Sequence, residues 1–170
     1  RGKSTYIRMA ALMSILAQNG MPVPSTEMKI TPLVIASAMK KGDSTQEAES
    51  TFRAEARRVK DFLVKIKDRR SLVLLDEVFT GTSSEEKLAA ERALYHYLQT
   101  QGYLVLAASH SRELVFLEGE IPGFINLHAS DHDEKPFQIE KGFSKRRNAF
   151  KVLNEEGLPK ELLEKAYHLY

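Results

Sequence analysis

The sequence predicts an α/β protein: a mostly parallel sheet flanked by helices, with antiparallel additions and a helical C-terminus. Three observations predict it. Leu72-Val73-Leu74-Leu75 and Tyr103-Leu104-Val105-Leu106-Ala107-Ala108 are short continuous apolar runs, the pattern of strands buried on both faces of a parallel sheet. Residues 85–99 between them are helical in pattern, with Glu85 and Glu86 in the first turn, and supply a crossover long enough for parallel pairing. Each apolar run ends in polar residues, Asp76-Glu77 and Ser109-His110, at the strand ends where open α/β sheets bind ligands.

The elements follow in order. Residues 4–19 place Ile7, Ala10, Ala11, Met13, Leu16 and Ala17 in a helical pattern, and Gly20 stands where a C-terminal cap belongs. Pro22, Pro24 and Pro32 forbid helix continuity, so residues 21–35 are expected to be extended and looping. Residues 40–50 are polar, contain Gly42-Asp43-Ser44, and read as a mobile connection. A second helix is expected over residues 51–67, with Phe52, Ala56, Val59, Phe62 or Leu63, and Ile66 on one face. Ser83 or Ser84 is placed to cap the helix that follows Asp76-Glu77. Beyond the second apolar run, residues 125–129 and 137–140 are expected as two antiparallel edge strands around a turn at 131–136. Residues 148–155 and 160–170 are expected as two short helices around Gly157-Leu158-Pro159.

Composition bounds the function. At 170 residues the chain fits one domain, here 1–170 with a helical C-terminal segment at 142–170. Hydrophobic residues make up 42% and charged residues 28%, which disfavours wholesale disorder and fibrous repeats. Lys+Arg 25 against Asp+Glu 23 leaves +2, so no global polycation announces nucleic acid; contact with DNA would need a local patch or other parts of the protein. The absence of cysteine excludes disulfides and thiolate metal sites and suits a reducing compartment, the cytoplasm. No apolar run approaches a membrane span of about 18 residues, and no membrane partner is expected. The chain starts at Arg1 without a methionine, and is expected to be a fragment.

Three constellations carry chemistry. Gly2-Lys3-Ser4-Thr5 opens directly into a helix and matches the second half of a phosphate loop, G-x-x-x-x-G-K-[S/T]. Glycine lets the backbone approach phosphate, Lys3 supplies a point charge, the Ser4 hydroxyl coordinates Mg²⁺, and the helix start adds aligned N–H groups. The bland alternative is a surface turn capping a helix. Asp76-Glu77 delivers two adjacent carboxylates at the end of a buried strand. Asp76 suits the Mg²⁺ shell and Glu77 suits orienting or deprotonating an attacking water; the alternative is an ordinary strand end. His110, after the other strand, suits sensing a terminal phosphate or positioning the water; the alternative is a structural histidine. Gly81-Thr82-Ser83-Ser84 suits a tight loop near phosphate or a subunit boundary, as well as a cap. His128, His132 and Asp133 lack the helical frame that a metal site wants. The basic run from Lys141 to Arg147 is either a phosphate-backbone contact or a solvated surface.

Taken together, these residues resemble a known family. Arg1-Gly2-Lys3-Ser4-Thr5, Ser50-Thr51-Phe52 with Glu55, residues 72–77, Gly81-Thr82-Ser83, and Ser109-His110 with Glu113-Leu114 are similar in order and spacing to the C-terminal ATPase domain, domain V, of the MutS family of DNA mismatch-repair proteins. The resemblance covers nearly the whole chain, including Asn148-Ala149-Phe150 and Gly157-Leu158-Pro159 near its end. It implies a P-loop NTPase of the ABC-ATPase type that binds ATP with Mg²⁺ and works as a homodimer, ATP state being coupled to DNA-clamping domains upstream. By that likeness Gly2, Lys3, Ser4 and Thr5 bind phosphate and Ser4 and Asp76 hold Mg²⁺. Glu77 and His110 are catalytic, and Ser50 is offered across the dimer to the partner's nucleotide. Gly81, Thr82 and Ser83 couple the two sites.

Departures accompany the likeness. Val78-Phe79-Thr80-Gly81-Thr82 stands where the family usually has Ile-Gly-Arg-Gly-Thr, and Ser109-His110 stands where Thr-His is usual. Lys145-Arg146-Arg147-Asn148-Ala149 is closer to MutS-like members that lack the mismatch-reading domain. Two alternatives remain at this point: an ATPase of another ABC-type class, which would favour Leu-Ser-Gly-Gly where Glu49-Ser50-Thr51-Phe52 occurs, and a dimerisation module without turnover.

Overall fold

The computed structural model describes residues 2–39, 48–130, 138–144, 156–157 and 159–169. The chain divides into two compact units, residues 1–126 and 127–170.

The first unit is built on three parallel strands. Helix α1 (Lys3–Gln18) precedes β1 (Val34–Met39), α2 (Ala48–Ile66), β2 (Ser71–Asp76), α3 (Ser84–Thr100) and β3 (Leu104–Ala108). A 3-10 helix (Arg112–Phe116) and the short α4 (Leu117–Glu120) follow. The strand order is β1-β2-β3, with Val34 beside Ser71 and Leu72 beside Leu104. Each helical connection brings the chain back to start the next strand at the same edge, as parallel pairing requires.

Alternation along β2 assigns the two faces. Leu72 and Leu74 pack with Ile7 of α1, while Val73 and Leu75 pack with Val59, Phe62 and Ile66 of α2 and with Leu94, Tyr95 and Leu98 of α3. One face is therefore covered by α1 and the other by α2 and α3. Every residue of β2 is buried, as its unbroken apolar run predicts.

The local signals also place the helix ends. Gly20 takes φ 70, the left-handed conformation that follows a helix C-terminus, and its N–H donates to Ala17 O at 3.1 Å. Ser83 caps α3 by accepting from the Glu86 N–H at 3.4 Å.

Three expectations are corrected. Residues 34 and 35, read as looping, begin strand β1, which continues through Met39. Its small residues Ala36 and Ala38 hide the strand signal, yet they let α2 approach β1 closely. Helix α2 starts at Ala48, inside the stretch read as a connection; residues 40–47 lie outside the described residues. Strand β3, expected to be buried on both faces, has only Ala108 buried, and Leu104 is 58% exposed. Among the described residues it pairs with β2 alone, so there its apolar run forms an edge.

In the second unit β4 (Leu127–Ala129) pairs antiparallel with β5 (Ile139–Lys141), His128 facing Glu140, and α5 spans Lys160–Leu169. The expected turn at 131–136, the helix at 148–155, His132, Asp133 and Lys145-Arg146-Arg147 of the basic run lie outside the described residues. No described helix is long and apolar enough to cross a membrane.

Candidate functional site

The carboxyl edge of the parallel sheet gathers most of the residues that the sequence singles out. Gly2 adopts φ 102 and accepts the Tyr6 N–H at 2.9 Å, so α1 begins at Lys3 as a phosphate loop would require. A positive φ of this size is readily reached by glycine alone. The Lys3 ammonium donates to Ser109 O at the end of β3 across 2.8 Å. Its pKa is lowered by burial, with Lys87 acting in the same direction, while Glu77 and Asp76 oppose the shift by favouring the cation. Lys3, Asp76, Glu77 and Lys87 thus lie within one electrostatic neighbourhood.

Asp76 is buried at the last position of β2. Glu77 comes next and leaves the strand at φ 51. Its N–H donates to Ala108 O at 3.0 Å, and its Oε1 lies 2.9 Å from His110 Nε2. The polar residues that follow the two strands, Glu77 and His110, therefore meet.

The loop after Glu77 is gripped from α2. Buried Glu55 accepts the Thr80 N–H through Oε2 and the Thr80 hydroxyl through Oε1, both at 2.7 Å. Phe79, where the resembling family usually has glycine, adopts φ 60 and is buried against Phe52 with ring centroids 6.0 Å apart. The left-handed backbone costs about 1–2 kcal/mol in a residue with a Cβ. Burying a phenylalanine stabilises by about 1.5–3 kcal/mol, so packing offsets the strain. Conformations of this kind persist when their surroundings over-determine them, and Glu55, Phe52 and Ala108 do so here.

The remaining predicted residues sit as follows. Ser4 and Thr5 lie in the first turn of α1 and Ser50 in the first turn of α2. Thr82 and Ser83 are engaged within the chain, the Thr82 hydroxyl with Glu86 and Ser83 as the α3 cap. His128 approaches its own neighbour Ala129 O at 2.9 Å through Nδ1 and Glu140 at 4.0 Å through Nε2.

Sequence reasoning missed Lys87 and Glu91, one helical turn apart on α3. Glu91 is wholly buried. It accepts from Ser109 Oγ at 3.1 Å and from Ser111 Oγ at 3.1 Å. Burial raises its carboxyl pKa, Lys87 and the two hydroxyls pull it down, and Glu77 adds to the rise. The available signal was a carboxylate on the apolar face of α3, in phase with Leu88, Leu94, Tyr95 and Leu98.

This arrangement defines an α/β protein with a lysine, paired carboxylates and a histidine at the carboxyl edge of a parallel sheet. Comparison with known proteins specifies the family. The model for MutS domain V matches residues 1–170. The chain is 35% identical over 175 residues to the DNA mismatch repair protein MutS of Carboxydothermus hydrogenoformans, covering 99% of this chain and 21% of that protein. It is 36% identical over 172 residues to a namesake from Thermus thermophilus, covering 97% of this chain and 21% of that protein. A relative of the same name from Persephonella marina is 31% identical over 175 residues, covering 99% and 20%. The chain belongs to the MutS family and spans about a fifth of the length of these relatives.

Proposed function

We propose that this chain is the ATP-binding and ATP-hydrolysing module of a MutS-type DNA mismatch-repair protein, of the P-loop, ABC-ATPase class. The observation that carries the reading is the convergence of Lys3, Asp76-Glu77 and Ser109-His110 on one edge of the sheet. Phosphate needs a cation at a helix start, and water attack needs a positioned acceptor. Glu49-Ser50-Thr51-Phe52 in place of Leu-Ser-Gly-Gly counts against a transporter-type ATPase, and the presence of Lys3, Asp76, Glu77 and His110 together counts against a module that has lost turnover.

In this reading Gly2, Lys3, Ser4 and Thr5 hold the ATP phosphates, Asp76 and Ser4 hold Mg²⁺, Glu77 accepts the proton of the attacking water, and His110 orients Glu77 or the water. The donor set fits the ion. A hydroxyl and a carboxylate are hard oxygen donors, and Mg²⁺ takes one or two carboxylates together with waters and substrate phosphates. The described residues contain no group of three or more His, Cys, Asp or Glu able to hold a metal, and such a site does not require one. When bound, Mg²⁺ neutralises charge on the phosphate oxygens.

Lys3→Ala tests the reading. Charge-assisted contacts are valued at roughly 1.5–3 kcal/mol, so ATP affinity in the full-length protein is expected to fall roughly 10- to 150-fold. Equal affinities would sink the assignment. The pH dependence has a definite sign. Burial lowers the Lys3 pKa in the free protein, and bound phosphate favours its charged form. Affinity should therefore weaken as pH rises through the free-protein pKa, which lies below 10.5. Lys3→Ala should flatten that alkaline limb in labelled-ATP titrations.

The same reading makes the protein a cytoplasmic homodimer that contacts DNA through domains outside this chain. Ser50 and the Gly81-Thr82-Ser83 loop face the partner's nucleotide, and ATP favours closure because it contacts both subunits only when they meet. Mixing Asp76→Asn and Ser50→Arg subunits should restore one of two composite sites. Turnover of the mixture should then exceed that of either parent. A mixture of proven heterodimers with no gain over its parents excludes a shared site.

A further inference from the structure

We infer that Glu91 is a positioning residue for His110, acting through the hydroxyls of Ser109 and Ser111. The inference rests on the hydrolysis reading above for its catalytic consequence, and on geometry for its structural one.

A carboxylate on the buried face of a helix persists where partners replace its water. Glu91 is wholly buried, and its two hydroxyl partners are the residues on either side of His110. Ser109 Oγ donates to Oε1 at 3.1 Å and Ser111 Oγ donates to Oε2 at 3.1 Å, so a single side chain from α3 spans the histidine. Two more bonds tighten the same turn. The Ser111 N–H donates to Ser109 Oγ at 3.1 Å, and Lys3 Nζ donates to Ser109 O at 2.8 Å.

The His110 side chain is 72% exposed, yet its Nε2 meets Glu77 at 2.9 Å. Little packing steers a ring so open to solvent, so the backbone on either side must aim it. Glu91 fixes that backbone through the two serines, while Glu77 meets the ring itself. Both flanking positions need a hydroxyl for this clamp, and the chain has serine at both.

Two variants test it in the full-length protein. Glu91→Met fills the same core space without an acceptor, and Glu91→Gln keeps one acceptor oxygen. Glu91→Met should lower kcat for Mg²⁺-ATP by about tenfold or more while KM stays within about threefold, and Glu91→Gln should recover most of that loss. In a His110→Ala background, Glu91→Met should change kcat by less than about twofold, because both substitutions remove the same function. Equal losses in the two Glu91 variants, or losses that add to His110→Ala, overturn the inference. The crystal structure of Glu91→Met gives a readout without turnover: displacement of His110 from Glu77 sustains the clamp, and an unmoved 2.9 Å contact overturns it. A wild-type protein that hydrolyses no ATP overturns the hydrolysis reading, and that structure then decides the positioning role by itself.

Discussion

Glu77→Gln is expected to slow ATP hydrolysis by at least about a hundredfold while ATP affinity stays within about threefold of wild type. Glutamine keeps the volume and an oxygen for His110 Nε2, now 2.9 Å from the carboxylate, but it cannot accept the proton of water. The backbone that carries residue 77 is held independently of the side chain: its N–H bonds Ala108 O, and Glu55 grips Thr80 three residues on. A change in rate therefore reports the lost acceptor. The Glu77–His110 contact itself contributes little to folding, because the His110 side chain is mostly in solvent and exposed polar pairs are worth about 0–1 kcal/mol. Single-turnover hydrolysis at saturating ATP is the measurement. Wild-type turnover in the variant would move the base elsewhere, His110 being the next candidate.

Phe62→Ala is expected to destabilise the protein by about 3–5 kcal/mol, the range for deleting a buried aromatic side chain. Phe62 lies on the face of α2 that packs against β1 and β2, in one cluster with Ala36, Ala38, Val73 and Leu75. Those neighbours lie on strands with fixed backbones, so the space left behind closes only partly. Val64 lies on the same helix and is 69% exposed. Val64→Ala should change stability by less than about 0.5 kcal/mol, and alanine's better helix propensity works in its favour. Urea unfolding of both variants distinguishes core packing from a general sensitivity of α2. Equal effects at the two positions would contradict the assigned face.

The strongest sequence signals were local ones. The α1 start at Gly2-Lys3, the Ser83 cap and the glycine stop at Gly20 involve residues within a few positions of one another, so their chemistry is written in one short stretch. Strand β2 was legible because the four consecutive apolar residues Leu72-Val73-Leu74-Leu75 have one economical conformation in a sheet buried on both faces. The parallel pairing of β2 and β3 followed from a helix of crossover length, whereas the 2.9 Å contact of Glu77 with His110 came only with the assembled fold.

Other features required the assembled fold. Strand β1 lacks a strong pattern of its own: Ala36, Ser37 and Ala38 are small, and their state depends on pairing with Val73, Leu74 and Leu75 and on how closely α2 approaches. The exposure of Leu104 depends on which strands stand beside β3, not on the apolarity of the run. Phe79 occupies a backbone region that its residue type disfavours, because Phe52 packs on its ring and Glu55 holds the next residue. Glu91 meets Ser109 and Ser111 from eighteen and twenty positions away, through a turn that exists only once β3 is in place. Sequence alone thus determined which short segments become helices and buried strands, and which polar residues stand at strand ends, because backbone preference and apolar period act over a few residues. The tertiary structure decided which strand is an edge, which left-handed residue is tolerated and which buried carboxylate holds the histidine turn, because each depends on groups that are distant in the chain and meet only through packing.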